Sequence, residues 1–329
     1  MRIGRMIGLA VAAAALAGTA LRAETLPVEG IYAAGTDAPS RARSIAIAGF
    51  AGRGGERLAF AIDTALRGAV IEGQPWFELT FSEPPRGTTY TYDRDADPAA
   101  YLGDSDAVMR GIAEVQWRDR DDGTKEVEEC VTRDDRGKCS EKKKVNIPCR
   151  LREVTLRPEV RLVAREGELL YGKGDQLTTN RRFCKDEEGS PSVDSMVEEL
   201  ARQFANAVRF DLAPTQRYET IRVLESRKGL SKSDQTAFRT ALRLTKTDVS
   251  EACAVFGELK QRNPQNVTLL FNVGLCIESL GELGTAAQFY EEALAISPRK
   301  PEPQEGLGRI ASRQRAERQL SLRYDDAQR

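Results

Sequence analysis

Val267 to Pro298 holds the run NVGLCIESLGELGTAAQFYEEALAISP, starting at Asn272, and its reading decides the C-terminal fold. Gly274, Ile277, Gly281, Ala286, Tyr290, Ala293 and Pro298 stand where two antiparallel helices joined by a short turn need them. Small Gly274 and Ala286 let the helices approach, Tyr290 fills the space between them, and Pro298 stops the second helix. Thirty-four residues before Ala286, Tyr290 and Pro298 stand Ala252, Phe256 and Pro264, fit for the same roles, and thirty-four after Gly274 stands Gly308. One such hairpin cannot bury its own apolar face, so a stack of helices over residues 229–329 is expected, ending in a polar helix.

This spacing resembles the tetratricopeptide repeat. The resemblance implies an all-α array that binds other proteins, with the first helix of each hairpin lining a concave groove. Carried over position by position, the partner-binding residues are Thr268, Phe271, Leu275, Glu278 and Ser279, unless Phe271 and Leu275 pack against a neighbouring helix or the first domain. The last segment carries Arg309, Arg313, Arg315, Arg318 and Arg323. A polar capping helix explains them more simply than an acidic partner.

The chain has 329 residues, room for two domains. Arg2 and Arg5 precede an apolar run from Met6 to Leu16, and Leu21, Arg22 and Ala23 close it, the pattern of a secretory signal peptide cut near Ala23. The run is too short to span a bilayer, and no lipid-acceptor cysteine follows the cut. A soluble periplasmic protein without a membrane span is expected. Removing residues 1–23 takes away three Arg and no acid, leaving 46 Lys and Arg against 50 Asp and Glu. So balanced a chain has no global field to attract nucleic acid. The histidine count of 0 excludes Ser-His-Asp and Cys-His catalysis and nearly all common catalytic zinc or iron sites. A non-catalytic protein with no cofactor and no metal is expected.

Six cysteines in an exported chain point to disulfides. Cys130, Cys139, Cys149 and Cys184 contain no C-x-x-C pair, which disfavours a zinc site. Of their three pairings we expect Cys130–Cys139 at a hairpin tip and Cys149–Cys184 between neighbouring strands. Cys253 and Cys276 either pair with each other or are two buried small residues.

The N-terminal region reads as α+β, with a mixed or antiparallel sheet and two main helices over residues 44–226, after an arm at 24–43. Ser44 to Phe50 is a short buried strand. Leu58, Ile62, Ala65, Leu66 and Ala69 make a helical stripe, and Phe77, Leu79 and Phe81 alternate as a strand. Gly49, Gly52, Gly54 and Gly55 do not form a phosphate loop, because Arg57 stands where GxGxxG needs glycine. They read as a flexible connection. Ala113, Val115 and Trp117 alternate as a strand, and Asp121, Asp122 and Gly123 read as a turn. Lys125 to Lys144 is a charged, cysteine-bearing hairpin, by default a solvated face. Val154, Leu156, Val160 and Leu162 alternate with charged residues, and Pro158 suggests an edge or a bulge there. Val193, Met196, Val197, Leu200, Phe204 and Val208 mark an amphipathic helix. Tyr218 to Leu224 reads as a closing strand.

Three stretches, IAIAGF, SDAVMRGIAEVQWRD and REVTLRPEVRLVAREGELLYGKG, followed by that helix, resemble the periplasmic domain of CsgG-type proteins over about residues 44–212. Related domains occur in outer-membrane accessory lipoproteins and at the start of TolB. The resemblance implies a domain that works by assembling with other proteins, with no catalytic residues to carry over. Members that form a pore are lipoproteins with amphipathic hairpins. Here the hairpin carries EVEEC, EKKK and RLREV, and a lipid-facing Lys or Arg costs roughly 2–4 kcal/mol near the midplane. No pore is expected. The function expected is a non-catalytic adaptor binding cell-envelope proteins, with a homo-oligomeric ring as one alternative. A glycan hydrolase using two of Asp93, Asp95 and Asp97 is the other.

Overall fold

A computed structural model describes residues 24–81, 103–187 and 189–325. The signal-peptide reading of residues 1–23 and the carboxylates Asp93, Asp95 and Asp97 therefore lie outside the described residues. The chain divides into two compact units. One combines Thr220–Pro303 with the described residues up to Val28, and the other combines Glu29–Glu219 with the chain from Gln304 on.

The larger unit is mixed α+β. Its sheet runs in the order β5 (Glu78–Phe81), β2 (Ser44–Ile47), β6 (Ala107–Arg133), β7 (Cys139–Ala164), β8 (Leu169–Gly174), with β9 (Leu177–Cys184) also on β7. β2 is parallel to both neighbours, and the β6–β7, β7–β8 and β7–β9 pairs are antiparallel. α1 (Gly55–Arg67) connects β2 towards the small β3 (Val70–Ile71)–β4 (Gln74–Pro75) hairpin and β5. α2 (Val193–Leu212) starts at Ser192, whose hydroxyl accepts from the Ser195 amide. Both helices lay their apolar stripes on one face of the sheet, where Leu58, Ile62 and Leu66 meet Val154, Leu156, Leu200 and Phe204 in one core. That burial, about 1.5–3 kcal/mol for each large side chain, holds the layer together.

β1 (Thr25–Tyr32) pairs with β10 (Thr215–Arg222). The expected N-terminal arm is thus partly strand, and from Tyr32 on it supports a helix. α7 (Pro301–Asp325) was expected to cap the helical stack, but from Gln304 on it belongs to the α+β unit. Gln319 is fully buried and bonds the Ala34 amide and the Ala34 and Thr36 carbonyls, while Arg315 holds Asp37 at 2.8 Å and the Gly35 carbonyl at 2.9 Å. Arg323 reaches the Ala42 carbonyl and stacks over Trp76, with its guanidinium carbon 4.5 Å from the ring centroid. The arginines read as solvent-facing are therefore partly spent on satisfying the backbone of residues 35–42.

Three further expectations change. Asp121, Asp122 and Gly123 do not turn the chain. They form a bulge inside β6, where three steps on β6 oppose two on β7 and Gly123 takes φ 69°. The turn comes at Asp134–Lys138, closed by the Asp134 amide donating to the Lys138 carbonyl at 2.9 Å. Pro158 is not at an edge either. It sits mid-strand opposite Ala113, between the stretch of β7 that pairs with β9 and the stretch that pairs with β8. Its missing N–H falls in that gap. The glycines before α1 are also not a loose connection. Ala51 exchanges hydrogen bonds with Gly111 and Ala113, and a Cβ on Gly55 would meet the Phe50 carbonyl oxygen at 2.2 Å.

The smaller unit holds a run of helices: α3 (Lys232–Leu244), α4 (Val249–Arg262), α5 (Val267–Ser279) and α6 (Leu283–Ile296). Ser231, Asp248 and Asn266 cap the first three by accepting an amide hydrogen bond from three residues on. A Cβ on Gly274 would lie 2.8 Å from a Tyr290 ring carbon, so glycine there sets the close approach of α5 and α6. All three disulfides form: Cys130–Cys139, Cys149–Cys184 and Cys253–Cys276. The first two are the expected pairs. The third resolves the open alternative in favour of a bond, linking α4 to α5.

Candidate functional site

The positions expected to meet a partner face inward. Thr268, Phe271, Leu275 and Glu278 are buried, and Ser279 is half-buried with its hydroxyl donating to the Cys276 carbonyl. Phe271 packs on Tyr290 with ring centroids 5.6 Å apart, and the Tyr290 hydroxyl donates to the Glu278 carboxylate at 2.7 Å. These side chains hold the α5–α6 hairpin together and offer no open groove. The same helix instead binds the chain's own extended segment after β10. Fully buried Asn272 accepts from the Leu224 amide and donates to the Leu224 carbonyl, both at 2.9 Å. Asn266 donates to the Lys228 carbonyl at 3.0 Å. Asn272 stands out in the sequence as the one amide within the apolar run LLFNVGLC, and a buried amide must find partners.

Carboxylate chemistry finds no support in the described part of the loop before β6. Asp106 accepts from the Arg43 and Ser44 amides, both at 2.8 Å. Burial pushes its pKa up. The Ser44 and Arg43 hydrogen bonds and the charge of Arg165 outweigh that and hold it below the usual carboxylate range. An aspartate held ionised in this way fits a structural cap better than a general acid. Among the described residues, Cys184, Asp186 and Glu187 bring possible ligand atoms within 4.8 Å of one another. The Cys184 sulfur is already in a disulfide, and the Lys125 ammonium sits 3.1 Å from Asp186 and 3.6 Å from Glu187, so the group does not suit a cation.

Two surfaces of the α+β unit remain. The first is a groove of about 1020 Å³ beside α1, floored by Ile47, Ala48, Ala61 and Ala65 and walled by Phe60 and Phe81. Those two rings are 68% and 57% exposed, which is uncommon for residues of that size. Glu56, Arg57, Glu198 and Arg202 line it as well, with Arg57 paired to Asp194 at 3.1 Å. Phe60 escaped the sequence reading because it stands off the Leu58–Ile62–Leu66 stripe. A phenylalanine on the polar side of an amphipathic helix is the signal that could have found it.

The second surface is the outer part of the β6–β7 hairpin, here called the arm. β9 covers β7 only from Cys149 to Leu156, so residues 124–133 and 139–147 form a two-stranded ribbon about 30 Å long. Its root is fixed by Arg152. That guanidinium makes a two-pronged pair with Asp119 at 2.7 Å, donates to Ser190 and the Pro191 carbonyl, and lies between the Trp117 and Phe183 rings. Along the arm, Glu128 pairs with Lys142 and Glu126 with Lys144, each at 2.8 Å. Cys130–Cys139 closes it near the tip.

No family model matches the chain, and comparison with curated proteins gave no match. Among solved structures, a neuraminyllactose-binding hemagglutinin homolog from Helicobacter pylori is similar at 10% identity and a TM-score of 0.23, over 53% of this chain and 82% of that one. So slight a likeness carries no argument about fold or function. Among the described residues no helix is long and apolar enough to cross a membrane.

Proposed function

We propose that the protein is a non-catalytic, exported adaptor that assembles other cell-envelope proteins. In this reading the α+β unit is a CsgG-like periplasmic domain, and the helices before Pro303 are a tetratricopeptide-like array. The observation that carries it is the α1 groove, an apolar cleft with two largely exposed phenylalanines and a charged rim, the composition of a protein-docking site. The three disulfides fit an oxidising compartment. The absence of histidine narrows the chemistry open to an enzyme. The docking role therefore moves from the inward-facing Thr268, Phe271, Leu275, Glu278 and Ser279 to the α1 groove.

A photo-crosslinking side chain at Phe81, introduced in the intact envelope, tests this. One defined envelope protein should be captured, and its capture should be lost when Phe60→Glu places a charge in the cleft. Adducts confined to the chain itself, or capture that Phe60→Glu leaves unchanged, would count against the groove.

A further inference from the structure

The two strands of the arm carry opposite charge. Within the arm β6 brings Glu126, Glu128 and Glu129 beside Lys125 and Arg133, while β7 brings Lys142, Lys143 and Lys144 with only Glu141. Glu126, Glu128, Glu129 and Lys142 to Lys144 are all exposed. Each strand also has an open edge. Among the described residues β6 pairs with β2 only at Ala107–Met109, with one further bridge at Ile112, so its outer edge is unpaired along the arm. Among the described residues β7 has no outer strand partner from Cys139 to Ile147. An unpaired edge is a row of amides and carbonyls ready to accept another strand, unless its side chains forbid it.

Here the side chains forbid two pairings out of three. Two β6 edges would set glutamates against glutamates, and two β7 edges lysines against lysines, and like charges directly opposite destabilise a strand pair. A β6 edge against a β7 edge sets Glu126, Glu128 and Glu129 against Lys142, Lys143 and Lys144. That match already works within the arm, where Glu128 faces Lys144 and Glu129 faces Lys143 in register. We propose that the arm is a self-assembly surface, in which the acidic β6 edge of one copy pairs antiparallel with the basic β7 edge of the next. Such a contact joins two different surfaces, so it propagates head to tail and ends only by closing into a ring. The inference does not depend on the α1 groove.

Sedimentation of the full chain at low ionic strength tests it. The wild type should assemble as concentration rises, and salt should disperse it, because exposed ion pairs are screened beyond about 10 Å at 0.1 M. Glu126→Lys, Glu128→Lys and Glu129→Lys together should give a monomer, as should Lys142→Glu, Lys143→Glu and Lys144→Glu together. An equimolar mixture of the two triple variants should assemble again, and so should the chain carrying all six changes. A wild type that stays monomeric at low salt would overturn the proposal. So would triple variants that assemble as the wild type does, or a six-fold variant that stays monomeric.

Discussion

Arg152→Ala removes the residue on which the root of the arm depends. The two hydrogen bonds to Asp119 are 2.7 Å long, and the side chains are only 12% and 13% exposed, so solvent screens them little. A charge-assisted hydrogen bond contributes about 1.5–3 kcal/mol. Contact with the Trp117 and Phe183 rings, at 5.1 and 5.3 Å, adds roughly 0.5–1 kcal/mol each. Contacts made by one side chain overlap and do not add, so the loss should be about 3–4 kcal/mol, near the lower end of the range for breaking a buried ion pair. Arg152→Lys keeps the charge but loses the planar fork, and should lose about half as much. Urea unfolding followed by tryptophan fluorescence suits the measurement, because Trp76 and Trp117, the chain's two tryptophans, both lie in the α+β unit. Asp119→Ala completes a double-mutant cycle whose coupling should exceed about 1 kcal/mol. The hydrogen bond from Arg152 holds the Asp119 carboxyl below the usual range. Its contribution should therefore be complete above about pH 4, the unfolded value, and fade as pH falls through the lower folded value. A loss under about 1 kcal/mol for Arg152→Ala, or a coupling near zero, would refute the assignment.

Other substitutions probe separate elements. Asn272→Ala should destabilise the helical unit by about 2–4 kcal/mol in calorimetry, since the Leu224 amide and carbonyl lose both their partners. Gly274→Ala gains about 1 kcal/mol of helix propensity. The new methyl meets Tyr290, which Glu278 and Phe271 hold in place, and overpacking of about 1–3 kcal/mol should win in thermal unfolding. Replacing both Cys149 and Cys184 by alanine opens a loop with a sequence separation of 35 and should cost about 4 kcal/mol in urea unfolding.

The sequence exposes those parts of the fold where one face is apolar and the spacing regular. α2 is legible from Val193 to Val208, and the α5–α6 hairpin from Gly274 and Tyr290, because the same side chains set both pattern and packing. β9 is not legible, since LTTNRRFC has too few apolar residues to show its period. Nor is the role of α7, whose buried Gln319 and many arginines look like a solvated helix until the backbone that Gln319 and Arg315 satisfy is seen. The candidate site fares worst. The groove positions taken from repeat spacing were used up by tight packing, and the α1 cleft rests on Phe60, which the helical period marks only as an outlier.

The bulge at Asp121–Thr124 acts as a phase shifter. Before it the odd-numbered residues of β6, such as Trp117, share a face with Val154, and beyond it the even-numbered ones do, such as Glu126 and Glu128. Losing a single residue there, Asp122 or Gly123, would leave one residue opposite Cys149 and turn the kink into regular ladder, with Glu126 still opposite Asn146 and Glu128 still opposite Lys144. Val127 would stay opposite Val145, and Cys130 would stay within reach of Cys139. The arm's charge pattern and its tip disulfide are thus set by the register with β7, and the extra residue in the kink serves to bend and twist the ribbon at its root.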